Sequence, residues 1–232
     1  MPVLEFMTGS GLGSLLGMRH ALEPDHLAAV STLLTGERGT ARAAWLGACW
    51  GIGHTMTLIA AGAVLMLLRA KMPAPASDAF ELAVAVMLVA LGLRAAYRAV
   101  RLGGAGPAYI HHHRGIVHTH PGVPAHVHIG RWTLARRPLL IGAVHGLAGS
   151  GALTALVLTT LPSTAARVTY MVLFGLGSTV GMAALSGMLG WPMGRLARHH
   201  GLARCISLAV GCGSTLLGLW WGYPLVERLI RS

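Results

Sequence analysis

The chain has 232 residues, of which 54% are hydrophobic and only 11% charged, with a mean hydropathy of +0.62 and a formal net charge of +11. A soluble domain carries about 25% charged residues, so the composition excludes an ordinary water-soluble globule. Such a charge would suggest nucleic acid in a soluble protein, but no nucleic-acid-binding motif accompanies it and the basic residues mostly flank apolar runs, so no nucleic-acid partner is expected. Cys49, Cys205 and Cys212 show no CxxC spacing and read as small buried hydrophobes rather than a disulfide framework.

Taken in chain order, apolar runs at residues 7–34, 43–68, 79–96, 139–161, 168–189 and 206–225 each approach or exceed the spanning length of about 20 residues. The expected fold is all-α: a polytopic protein of the cell (inner) membrane with six transmembrane helices, its partner the lipid bilayer. The first run follows Glu5 rather than a basic cluster and is too long for the apolar core of a secretory signal, about 7–15 residues. With six spans, the loops after spans one, three and five share a side that holds twelve arginines, against five basic residues opposite. The Lys/Arg excess marks the cytoplasm, so both termini are expected outside.

The two halves resemble one another. "LLGMRHAL" (residues 15–22) aligns with "LIGAVHGL" (140–147), and "GIGHTM" (51–56) with "GLGSTV" (175–180), in the same order at offsets of 125 and 124. A three-span unit crosses the membrane an odd number of times, so its copy enters from the other face. Inverted repeats of this kind are a transporter architecture, with the substrate near the midplane on discontinuous helices. The expected organisation is a first three-helix repeat at 1–101, a His-rich loop at 102–137 and a second repeat at 138–232.

The first run contains "HALEPDH" (residues 20–26), close to the bilayer centre. Arg19, Glu23 and Asp25 together cost roughly 8–10 kcal/mol there before any pairing, and ionisable groups at that depth read as functional. On an unbroken helix His20 and Asp25 would point about 140° apart, and His20 and His26 about 240°. Pro24 lacks an N–H and disfavours helical geometry at Glu23, so the helix is expected to break there and free the His20 carbonyl, letting His20, Asp25 and His26 converge. Two imidazoles and a carboxylate suit nickel, cobalt, copper or zinc rather than magnesium or calcium. His54, near the centre of the second run, and His145, the repeat partner of His20, complete the candidate ligands; Ser150 stands where the first repeat has Asp25. Arg19, Glu23, Pro24, Ser150 and Ser178 are candidate second-layer or gating residues.

These residues resemble the nickel/cobalt transporter superfamily, whose His-x4-Asp-His signature is matched by His20, Asp25 and His26. "GHTMT" at residues 53–57 resembles that family's second-helix segment, and "HGLAGS" at 145–150 resembles its shorter, UreH-like urease-accessory branch. The chain departs from the pattern in having Glu23-Pro24 where family members commonly have Asp-Ala. The resemblance implies a secondary permease for Ni2+ or Co2+, with Zn2+ a further candidate, no permanently bound cofactor, and a cytoplasmic metallochaperone as candidate partner. Moving a divalent cation inward through about 100 mV yields about 4.6 kcal/mol, so uptake needs no ATP motif, and the sequence has none.

The segment between runs three and four carries His111, His112, His113, His118, His120, His126 and His128. "IVHTH-PGVP-AHVHI" predicts a hairpin about the Pro/Gly turn, placing His118, His120, His126 and His128 on one face. His-rich tracts read as metal-binding, and a cytoplasmic buffering or sensing loop is expected. Two other functions compete. Efflux through the same fold would use the loop to collect metal. An intramembrane serine protease could use Ser150, but its base must lie within reach, and after Ser150 the only histidines are His199 and His200 in a loop. No enzyme activity is expected.

Overall fold

The computed structural model describes residues 2–35, 39–68, 70, 72–102, 108–113, 116–121, 126–129, 132–161, 163–196 and 199–231, with side chains outside 2–10, 102–134, 150–160 and 200. These residues form seven helices: α1 (Pro2–His20), α2 (Pro24–Leu33), α3 (Thr40–Leu67), α4 (Ala74–Leu102), α5 (Arg136–Thr160), α6 (Thr164–Leu196) and α7 (His200–Arg231). Four of them, α3, α4, α6 and α7, are long and apolar enough to cross a membrane. The first and fourth apolar runs of the sequence fall on α1–α2 and on α5.

The break between α1 and α2 follows from Pro24. Glu23 is held extended (φ −65°, ψ 149°) as the residue ahead of a proline, and Pro24 occupies the first turn of α2, where its missing N–H costs nothing. The His20 carbonyl, expected from sequence to be freed, is instead paired. The chain turns tightly enough that the Glu23 N–H donates to it at 3.0 Å, while the Leu22 N–H donates to the Arg19 carbonyl at 2.9 Å. The turn also changes the chain's neighbours: α1 packs on α6, whereas α2 packs on α7 and α4.

Small residues let these helices touch backbone to backbone, and the contacts come in reciprocal pairs. A Cβ on Gly17 of α1 would fall on the Phe174 carbonyl and within 2.8 Å of the Ser178 nitrogen of α6. A Cβ on Gly142 of α5 would fall on the Trp50 carbonyl and within 2.9 Å of the His54 nitrogen of α3. Gly177 meets Ser14 as Gly53 meets Leu139. Between α3 and α6 the Thr55 and Thr179 hydroxyls lie 2.9 Å apart, and both donate to the Gly175 carbonyl. In α4 and α7, Gly92 and Gly211 approach each other's backbone, and Ser214 Oγ donates to the Leu88 carbonyl at 3.0 Å. The buried core runs from Ala21, Ala29 and Val30 through Ala43 and Trp50 to Leu88 and Met182.

The segment between α4 and α5 corrects the sequence reading. β1 (Ala108–His113) pairs antiparallel with β2 (Ile116–Pro121), and β3 (His126–Ile129) with β4 (Trp132–Ala135). The expected hairpin of 116–120 with 126–129 does not form among the described residues: His118 stands opposite His111 and His120 opposite Tyr109, while His126 and His128 stand opposite Ala135 and Thr133. Each strand takes the partner reached through two intervening residues, the length hairpins favour, over one reached through the longer PGVP segment. His111, His112 and His113 belong to β1. The side chains of all seven loop histidines lie outside the described residues.

Gly17→Val and Gly142→Val should each destabilise the fold by about 1–3 kcal/mol or more, the cost of overpacking, because the new side chain meets rigid backbone. Gly11→Ala, with nothing within 4 Å, should be neutral. Thermal unfolding in detergent, followed by loss of monodispersity, checks the contrast.

Candidate metal centre

Four imidazoles and one carboxylate meet where the chain between α1 and α2 is not helical. His20 closes α1, Asp25 and His26 open α2, His54 stands halfway along the 28 residues of α3, and His145 comes from α5. The break makes the first three neighbours: the His20 and His26 rings lie 4.6 Å apart, centre to centre. His54 closes the group at 5.2 Å from His20 and 5.4 Å from His26, and His145 lies 4.7 Å from His26. Asp25, His26, His54 and His145 are buried, and His20 is nearly so.

Asp25 joins the two sides of the group. Its Oδ1 lies 3.1 Å from His26 Nδ1 and its Oδ2 3.2 Å from His145 Nε2. It also sits in the first turn of α2, where the helix dipole favours negative charge. An ionised carboxylate only accepts hydrogen bonds, so His26 Nδ1 carries the proton toward Asp25 and Nε2 keeps its lone pair. Glu23 does the same for His20: its Oε1 lies 2.9 Å from His20 Nδ1, directing the Nε2 lone pair inward. A carboxylate behind an imidazole fixes tautomer and ring orientation in metal sites.

The nitrogens left over are the chemically telling ones. His20 Nε2, His26 Nε2 and both nitrogens of His54 and of His145 are buried with no hydrogen-bond partner among the described residues, His145 Nε2 only standing 3.2 Å from Asp25 Oδ2. Buried polar groups are normally paired, and each one left unpaired costs about 1–3 kcal/mol. A coordinated cation would take up one lone pair from each ring it binds. Donor atoms of His20, His26 and His54 lie within 4.8 Å of one another, as do those of Asp25, His26 and His145. Such imidazole and mixed imidazole–carboxylate sets fit borderline divalent transition metals.

The candidate second-layer residues divide. Glu23 contacts the cluster, Pro24 shapes it, and Ser178 is wholly buried with its hydroxyl unpartnered among the described residues. Arg19 is exposed, and the Ser150 side chain lies outside the described residues. Sequence reasoning missed three contributors. The buried Trp50 ring lies 5.2 Å from His26 and 5.5 Å from His145, Phe174 lies 5.4 Å from His20, and a Cβ on Gly149 would come within 3.8 Å of His20 Nε2. Their signal was helical spacing: Trp50, Phe174 and Gly149 each stand four residues from His54, Ser178 or His145 on the same helix, and so share its face.

The fold and the cluster define a helical membrane protein with a buried imidazole–carboxylate centre. The chain is 32% identical to the urease accessory protein UreH of Bacillus sp. (strain TB-90) over 92% of its own length and 90% of that protein's, and it belongs to the UreH family. It is also 27% identical to the chloroplast protein FOR GROWTH AND FERTILITY 1 of Arabidopsis thaliana, over 80% of this chain and 50% of that one. No family model and no solved structure matches it.

Glu23→Gln, which keeps shape but removes the charge behind His20, should weaken Ni2+ binding by about 10–100-fold, the usual cost of losing such a partner. Equilibrium titration of purified protein with Ni2+ checks it.

Proposed function

We propose that the chain is a permease for a divalent transition-metal cation, nickel or cobalt, with the ion held halfway across the membrane by His20, Asp25, His26, His54 and His145. The observation that carries this reading is the set of buried, unpaired imidazole nitrogens around Asp25 at the middle of α3. A cluster of this composition in hydrocarbon is costly unless it serves an ion pathway. A urease-accessory role in the Bacillus relative fits a nickel cargo, and the match of His20, Asp25 and His26 to the nickel/cobalt transporter signature points the same way.

On this reading α1–α2, α3 and α4 form one three-span repeat and α5, α6 and α7 its inverted copy, with boundaries at 1–101 and 138–232. The reciprocal glycine contacts of Gly17 and Gly142, and of Gly53 and Gly177, support that arrangement. A broken helix presenting ligands at the repeat interface is the usual form of a transporter site. Both termini lie outside; the loop at 102–137, with its seven histidines, lies in the cytoplasm and buffers metal, in reach of a metallochaperone. The protein acts by carrying its cargo: nothing is transformed, and no cofactor stays bound. Zn2+ is a secondary cargo, and export is the alternative direction.

The test is accumulation of radiolabelled nickel in cells expressing wild type, His20→Ala or Asp25→Asn at matched membrane levels. Uptake above background with wild type, lost in both variants, is the expected result. Lower accumulation with wild type, restored by the variants, would make the protein an exporter using the same site. No difference among the three would eliminate nickel as cargo.

A further inference from the structure

The donors around Asp25 do not form one group; they form two triads that share a single residue. His20, His26 and His54 make an all-imidazole triad, and Asp25, His26 and His145 make a mixed one. The first has a less buried edge, because the His20 side chain is 15% exposed and is backed by Glu23, whose side chain is 51% exposed. Every member of the second is buried, and it alone contains a carboxylate.

Resting on the permease reading above, we propose that the centre is a two-position relay: a divalent cation binds first among His20, His26 and His54, then passes to Asp25, His26 and His145, with His26 serving both positions in turn. Nδ1 of His26 faces Asp25 at 3.1 Å, while its Nε2 is the buried, unpartnered atom left for the first triad. A neutral imidazole has one lone pair and one N–H. An ion on Nε2 therefore leaves the proton on Nδ1, against Asp25, and an ion on Nδ1 requires that proton on Nε2. One position is filled at a time, so the centre holds one ion per chain; in the transfer His26 releases the ion from Nε2, loses the Nδ1 proton while Nε2 gains one, and takes the ion up again on Nδ1. Asp25 makes the transfer favourable, since the ion leaves a neutral shell for one that contains a negative charge.

The test uses full-length purified protein with Co2+ as probe, read by its visible absorption, which reports the ligand shell. His54→Ala removes a ligand from the first triad only, and His145→Ala from the second only; the conservative pair His54→Gln and His145→Gln serves if the alanine variants do not elute as wild type does. The relay predicts one ion per chain in wild type and saturable binding in both single variants, with two different spectra whose weighted sum reproduces the wild type. It also predicts loss of binding in His26→Ala, and transport lost in His145→Ala although binding remains. Identical spectra in the two single variants, or loss of binding in either of them as complete as in His26→Ala, would show one undivided site and overturn the relay alone. Wild type that binds neither Co2+ nor Ni2+ would overturn the permease reading and the relay with it.

Discussion

The structure depends on one carboxylate. Asp25 is buried in the first turn of α2 and is held there by two imidazoles and the N-terminal turn of that helix; at membrane depth an isolated charge costs about 2.5–3.5 kcal/mol even on the mildest scale. None of that is available on a continuous helix. The extended Glu23 and the proline after it let residues six apart in sequence meet across a turn, and they start a new helix whose dipole faces the charge. The interruption that would weaken a plain membrane span is what makes the charge tolerable.

The rest of the packing keeps that turn in place. Gly17 seats the last turns of α1 against Phe174 and Ser178, and Gly142 seats α5 against Trp50 and His54, so that α1 and α5 each bring a histidine, His20 and His145, to the centre. The Thr57 hydroxyl donates to the Ala143 carbonyl at 3.0 Å, tying α3 to α5 next to His54. Trp50 and Phe174, four residues from His54 and Ser178, close the apolar walls around His26 and His20. The low dielectric they create strengthens whatever attraction the carboxylate and imidazoles exert on a cation.

Much of this was legible from residue types and spacing. Apolar runs foretold the helices, four of which are long and apolar enough to cross a membrane, and a proline between charged residues foretold the break. The repeat alignment singled out His145, and its glycines fall at the reciprocal close contacts. What could not be read was set by distances across the fold. The partition of donors into two triads depends on which donor atoms the separate helices bring within 4.8 Å of one another. Trp50, Phe174 and Gly149 carried only a helical spacing that any core residue shares. The loop strands were paired wrongly because the near-palindrome about PGVP was weighed above the two-residue connections on either side, and alternation alone does not choose between them.

The most direct test is the nickel K-edge X-ray absorption of purified protein loaded with one equivalent of Ni2+, in wild type and in a variant with the seven loop histidines replaced by alanine. The account predicts the same spectrum in both, with the outer-shell scattering of several imidazole rings and nickel–nitrogen distances of about 2.0–2.1 Å, close to those of other imidazole-bound divalent metals. A shell of water and carboxylate oxygens alone, or imidazole scattering that vanishes with the loop histidines, would contradict a cation site at the helix break.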